Sequence, residues 1–153
     1  MAGNIKSAGA APLRVGIAGL GTVGAGVAKL IAENQEILLQ HCPRPILVTA
    51  VSARDRKKDR GLDLAGIDWC DDPVKLASHP KVDAVVEVIG GSDGPAKALL
   101  EAAFANKKHV VTANKALLAH HGTALALAAE RAGVALAYEA AVAGGIPVIK
   151  AMR

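Results

Sequence analysis

Aromatic side chains are nearly missing from this sequence, which has one each of Trp, Tyr and Phe in 153 residues. Proteins that hold single-stranded nucleic acid stack bases on such rings. No nucleic-acid partner is therefore expected, although 18 Lys and Arg outnumber 14 Asp and Glu and give a formal net charge of +4. Cysteine is scarce as well. Cys42 and Cys70 show no metal-ligand spacing and read as free thiols of a reducing cytosol. Long apolar runs are absent: none reaches the roughly 18 residues of a membrane span, and the polar start lacks the apolar block of a signal peptide. A cytoplasmic protein with no membrane partner is expected. Residues 1–12, rich in Gly and Ala, read as a flexible tail, and residues 13–153 as one domain. A chain of this size buries roughly two thirds of its unfolded surface without staples.

What the chain has in abundance is small and aliphatic: hydrophobic residues make up 52%. With so few rings the core must be built from Ala, Val, Leu and Ile, which suits parallel strands covered by small-residue helices. Strand and helix signals alternate from Leu13 onward, the rhythm of βαβ units. Strands are expected at Leu13–Ala18, Ile46–Val51, Asp83–Ile89, His109–Thr112 and Val134–Tyr138. Helices are expected from Thr22 to about Gln40, from Pro95 to Asn106, and from about Gly122 to Arg131 with Gly133 as the stop. Asp72 and Pro73 read as the cap and first residue of a short helix. Val148–Arg153 looks like the first turns of another helix, so a chain ending there is expected to be truncated. The expected fold class is α/β, a doubly wound parallel sheet of the Rossmann type with helices on both faces.

The strongest local motif is Gly19-Leu20-Gly21-Thr22-Val23-Gly24, a G-x-G-x-x-G run between a strand and a helix. Each glycine serves a separate step: Gly19 the tight turn, Gly21 the approach of backbone to a pyrophosphate, Gly24 the close packing of helix on strand. The helix N-terminus, with Thr22 and Val23, offers unpaired N–H groups and a positive dipole end to phosphates. The motif alone is weak; its strand-turn-helix setting makes it a dinucleotide loop. A second-strand acid that would hold the ribose is not immediately present, because the chain reads Ser52-Ala53-Arg54-Asp55. Arg54 with Lys57 or Lys58 suits the 2′-phosphate of NADP, whereas Asp55 suits the NAD ribose. The basic run Arg54, Arg56, Lys57, Lys58 and Arg60 reads equally as a solvated loop.

Ligands of open α/β sheets lie beyond the carboxyl ends of the strands, and the unusual residues cluster there: the glycine loop, Arg54, Gly90–Asp93, Asn114 with Lys115, and Glu139–Gly145. A lysine at a crevice rim can polarise an alcohol or aldehyde oxygen or relay its proton; by itself Lys115 reads more readily as a solvated residue opening a helix. Glu139 reads either as the end of a strand or, with the carbonyls of Val142, Gly144 and Ile146, as part of an oxygen cage for a hard cation. Glu87 sits inside an aliphatic strand, paired or facing the crevice. The five histidines form no ligand pattern.

Three blocks together resemble the homoserine dehydrogenases. They are Val15–Gly24; Val85–Gly91 followed by His109-Val110-Val111-Thr112-Ala113-Asn114-Lys115; and Tyr138-Glu139-Ala140-Ala141-Val142-Ala143-Gly144-Gly145-Ile146-Pro147. The first is generic, whereas Thr-Ala-Asn-Lys and Glu-Ala-x-Val-x-Gly-x-x-Pro are specific, and the match runs from about Leu13 to the last residue. The resemblance implies NAD- or NADP-dependent interconversion of L-homoserine and L-aspartate 4-semialdehyde, on the route to threonine, methionine and isoleucine. It implies that Lys115 is catalytic, that Gly90, Gly91 and Asn114 border the cofactor, and that Glu139, Val142, Gly144 and Ile146 bind a monovalent cation such as sodium. It also implies a small-molecule substrate and a homo-oligomeric full-length enzyme. The family's substrate-binding acids and second catalytic lysine lie further along than this chain reaches, so the fragment alone is expected to be inactive.

Other readings fit less well. Inositol dehydrogenase-type enzymes usually carry Glu-Lys-Pro where this chain has Asn114-Lys115-Ala116. An aspartate-semialdehyde dehydrogenase needs a thiolate nucleophile near its substrate, and neither cysteine falls at an expected strand end. A non-enzymatic NAD(H) sensor would need a recognition helix or dimer partner, for which no residues speak.

Overall fold

The aliphatic runs become a six-stranded, wholly parallel sheet. The computed structural model describes residues 10–142, 144, 146, 151 and 152. The strands are β1 (Leu13–Ala18), β2 (Ile46–Ser52), β3 (Asp68–Trp69), β4 (Ala84–Glu87), β5 (His109–Thr112) and β6 (Leu136–Ala137). They lie in the order β3-β2-β1-β4-β5-β6, each paired parallel to its neighbours. The chain runs outward in one direction from β1 and then returns to start the other half at β4. The gap beyond β1 and β4 is therefore the switch point where such sheets bind ligands.

Alternate residues of the strands build two cores. Ala18, Ala50, Val85 and Val110 point to one face, against α3 (Pro95–Ala105), α4 (Lys115–Ala132) and a short 3-10 helix at Pro73–Ala77. Val15, Ile17 and Val51 point to the other, against Leu20 and Ala28, the latter on α1 (Thr22–Glu33). Small side chains allow this close layering: Ala96 and Ala103 of α3 are fully buried. Among the described residues no helix is long and apolar enough to cross a membrane.

The structure departs from the sequence reading in five elements, apart from one-residue differences at the ends of others. The first long helix is two, α1 and α2 (Gln35–His41), broken at Asn34. There the Asn34 carboxamide donates to the Leu30 carbonyl at 2.9 Å, the competition with backbone that makes Asn a poor helix interior residue. β3 has two residues, too few for any periodicity to reveal. α4 begins seven residues earlier than Gly122, capped by Asn114, whose side chain accepts from Leu117 N at 3.1 Å. Gly122 inside α4 weakens the pattern but fits, since an added Cβ would meet only Leu118 at 3.7 Å. The strands expected at Asp83–Ile89 and Val134–Tyr138 are shorter, Ala84–Glu87 and Leu136–Ala137. Gly133, at φ +70°, ends α4 where the sequence placed the stop. The Asp72 cap also forms, accepting from Val74 N at 2.9 Å. Most of the tail (Met1–Gly9), Pro147 and most of the Val148–Arg153 stretch lie outside the described residues.

Candidate functional site

The three glycines of the loop after β1 answer to different constraints. Gly19 has φ +99°, and a Cβ there would stand 2.7 Å from the Val88 carbonyl oxygen. At Gly24 a Cβ would overlap the Gly19 carbonyl oxygen. Both are required by the fold itself. Gly21 is not: its φ is −73°, open to any residue, and an added Cβ would meet nothing within 4 Å. It faces a cleft of about 480 Å³ at the switch point, bounded also by Ser52, Arg54, Asp71, Ile89 and Pro95. Gly21 is the N-cap of α1 and supplies no side-chain cap, so the first N–H groups of the helix remain free for an outside acceptor.

The loop after β2 is fastened to this cleft by Arg60. Its Nε donates to Leu20 O at 2.9 Å, and its terminal nitrogens donate to Lys58 O at 2.7 Å and Asp55 O at 2.5 Å. The guanidinium carbon also lies 5.7 Å from the Trp69 ring centroid, as does that of Arg56. Arg54, Asp55, Lys58 and Arg60 line the cleft, whereas Lys57 does not. Asp55 Oδ1 accepts from Lys57 N at 2.8 Å, an Asx turn within the loop. The sequence reading treated Arg60 as one charge of a run. Its role as a tie between two loops depends on the β3 edge that carries Trp69.

At the ends of β4 and β5 the organising residue is Glu87, fully buried. One carboxylate oxygen accepts from Ile89 N at 2.8 Å and Gly90 N at 3.3 Å, the other from the Thr112 hydroxyl at 2.6 Å. Thr112 Oγ1 in turn accepts from Asn114 N at 3.0 Å, and Asn114 Nδ2 donates to Gly91 O at 2.7 Å. The hydrogen bonds close a ring that joins the loop after β4 to the start of α4. Gly90 and Gly91 take φ +85° and +86° within it, and Lys115 leaves it as the first, exposed residue of α4. Nearby, His121 Nε2 and Ser92 Oγ each meet a carboxylate oxygen of Asp93 at 2.8 Å. The Ser92 hydroxyl first, and His121 with it, hold the Asp93 carboxyl below its usual range.

The structure thus brings Gly19, Gly21 and Arg54 to one cleft, places Thr22, Val23 and Gly24 on the helix behind it, and sets Gly90, Gly91, Asn114 and Lys115 along the same edge outside its lining. Of the proposed cation ligands, Glu139 opens a short turn whose carbonyl accepts from Val142 N at 3.2 Å. Gly144 and Ile146 are exposed. Cys70 directly follows β3, a strand end the sequence did not reveal. Its side chain packs into the core, and burial pushes its thiol pKa up, so it has no nucleophile's environment.

Residues 19–139 match the family model for the NAD-binding domain of homoserine dehydrogenase. The chain is 46% identical to the homoserine dehydrogenase of Pseudomonas aeruginosa over 93% of its own length, and 40% identical to that of Bacillus subtilis over 92%. In each case the match covers 32% of the relative, so the chain spans about a third of the length of these proteins. The crystal structure of a homoserine dehydrogenase from Thiobacillus denitrificans superposes with a TM-score of 0.85 at 43% identity, covering 93% of this chain and 32% of that one.

Proposed function

The chain belongs to the family of homoserine dehydrogenase NAD-binding domains, and on that footing we propose that it is the cofactor-binding part of an enzyme interconverting L-homoserine and L-aspartate 4-semialdehyde with NAD(P)(H). The observation that carries the cofactor reading is Gly21. The fold asks for glycine at positions 19 and 24 but leaves position 21 free of both steric and backbone demands. A glycine there is accounted for by a ligand that must come within contact of the backbone. In this reading Gly19–Gly24 and the N-terminus of α1, with Thr22 and Val23, hold the pyrophosphate. Arg54 with Lys57 or Lys58 takes the 2′-phosphate, favouring NADP over NAD, and Lys58 has the better placement because it lines the cleft. Gly90, Gly91 and Asn114 border the nicotinamide.

When bound, the dinucleotide supplies a hydride acceptor or donor. The chain's own part in the chemistry falls to Lys115 at the rim of the edge. In the oxidative direction the homoserine hydroxyl loses a proton as its carbon loses hydride, and the Lys115 Nζ receives or relays that proton. In the reverse direction it polarises the aldehyde oxygen and returns the proton. Glu139, Val142, Gly144 and Ile146 hold a sodium ion, chiefly through backbone oxygens. The remaining substrate-binding residues belong to a separate domain, in a homo-oligomeric cytoplasmic enzyme, with residues 13–153 forming the cofactor domain.

The test is a titration of the 153-residue chain with NADP and NAD. Binding without homoserine turnover is expected, and Gly21→Val is expected to abolish it by occupying the pyrophosphate's approach while leaving the fold intact. An affinity untouched by that substitution would remove the glycine loop from the account.

A further inference from the structure

Glu87 is a fully buried carboxylate that the proposed reaction does not use. Removing such a charge from water is costly, and buried carboxylates usually sit beside a cation. Among the described residues, no Lys, Arg or His nitrogen lies within ion-pair distance of it. Its partners are two backbone N–H groups and one hydroxyl, all donating. Three donors and no facing acceptor match a carboxylate, which only accepts, and they offset its charge without neutralising it. That charge is held immediately beneath the Gly90–Gly91 turn, because two of the three donors belong to the turn's own residues Ile89 and Gly90.

We propose that the buried Glu87 carboxylate, centred in the hydrogen-bond ring that joins the ends of β4 and β5, biases a bound nicotinamide towards its oxidised, positively charged form. The inference rests on the reading that Gly90 and Gly91 border the nicotinamide. A pyridinium ring over that turn gains from the negative charge below it. The reduced ring is neutral and gains nothing. The bias is therefore a difference between two states of one ligand, which a merely shape-holding role cannot produce. Thr112 and Asn114 belong to the same ring but carry no charge, so their contribution is to position the turn equally for both states.

The experiment compares dissociation constants of NAD+, NADH and ADP-ribose for the wild-type chain, Glu87→Gln and Thr112→Val, with the thermal midpoint followed in parallel. Glu87→Gln keeps the size and the acceptor facing Ile89 and Gly90 while removing the charge. It is expected to weaken NAD+ relative to NADH by roughly tenfold, the scale of one charge acting across about 12 Å at an effective dielectric near 20, with ADP-ribose unchanged. Thr112→Val removes one donor and keeps the charge, so the NAD+ to NADH ratio is expected to hold. Equal weakening of both dinucleotides by Glu87→Gln would overturn the proposal and leave Glu87 a structural residue. Should Glu87→Gln fail to fold, a Thr112→Val ratio shifted towards NADH would overturn it equally. If wild-type NAD+ and NADH both bind no differently from ADP-ribose, the nicotinamide does not rest on this turn, and the failure belongs to the underlying placement and not to the charge.

Discussion

The two ends of the ligand-facing edge are held together by opposite means. On the β2 side, loops are tied by a half-buried arginine whose contacts are carbonyl oxygens and the face of Trp69. On the β4–β5 side, they are tied by a buried ring in which Glu87, Thr112 and Asn114 satisfy one another. The first arrangement lies at the surface among exposed side chains, where single contacts contribute little and neighbouring side chains can be exchanged. The second lies in low dielectric, where each bond is stronger and each loss leaves a buried group unpaired. Adjustable recognition suits the first end, and fixed geometry suits the second.

The sharpest test of that contrast is Lys115→Ala in a protein that also carries the substrate domain. If the fixed end serves chemistry, turnover falls by about a hundredfold to ten-thousandfold, the usual effect of losing an acid–base participant, while dinucleotide affinity barely moves. A raised dissociation constant with normal turnover would make Lys115 a cofactor contact and blur the division. Next in size is the glycine pair at the switch point. Gly24→Ala forces a Cβ into the Gly19 carbonyl and is expected to cost about 3 kcal/mol in urea unfolding, the upper range of overpacking. Gly21→Ala should stay within about 0.5 kcal/mol, as for open surface sites; similar losses would mean that position 21 is structural after all. At the adjustable end, Arg54→Ala should weaken NADP about tenfold more than NAD, as expected for a charge-assisted bond to phosphate. Equal losses for the two cofactors would show that Arg54 does not read the phosphate.

The smallest effect lies away from both ends and serves as a control. Hydrogen bonds from Arg14 hold the Asp83 carboxyl at about 2, with Nη2 at 2.6 Å. A carboxyl depressed in the folded state stabilises it above the unfolded value near 4, and that contribution fades as pH falls from there to about 2. Because the pair's side chains are 38% and 32% exposed, the contribution of Asp83 is discounted to about 1 kcal/mol. Asp83→Asn should lose that much at neutral pH and only a small part of it at pH 2, where the folded carboxyl is half protonated, with cofactor affinity unchanged. A loss that persisted undiminished at pH 2 would assign the effect to packing.

Features that depend on one residue and its near neighbours were legible before the structure. The glycine loop, the Asp72 cap and the Gly133 stop are local backbone chemistry, and each falls where the sequence placed it. Parallel pairing was legible too, since Val85 and Val86 can both be buried only in a sheet covered on both faces. Features that depend on distant pairing were not. The two-residue β3 has no period to detect, and without it neither the seat of Trp69 nor the tie made by Arg60 could be inferred. Glu87 was visible as an anomaly in an aliphatic strand. Its partners lie 2, 3 and 25 residues away, and only the register of β4 against β5, which sets Glu87 opposite Thr112, brings the last of them into reach.

Trp69 also gives the molecule an optical handle. It is the sole tryptophan of the chain, its indole N–H donates to Asp71 at 3.1 Å, and Asp71 borders the cleft. Two guanidinium groups lie over its ring. Ultraviolet emission from the unlabelled protein therefore comes chiefly from one edge of the sheet, beside the basic loop after β2. Reduced dinucleotides absorb through the dihydronicotinamide ring where tryptophan emits, so energy transfer from this residue would report the arrival of that ring within reach of the β3 edge. Oxidised dinucleotides and ADP-ribose, which lack that absorption, would stay dark in the same measurement.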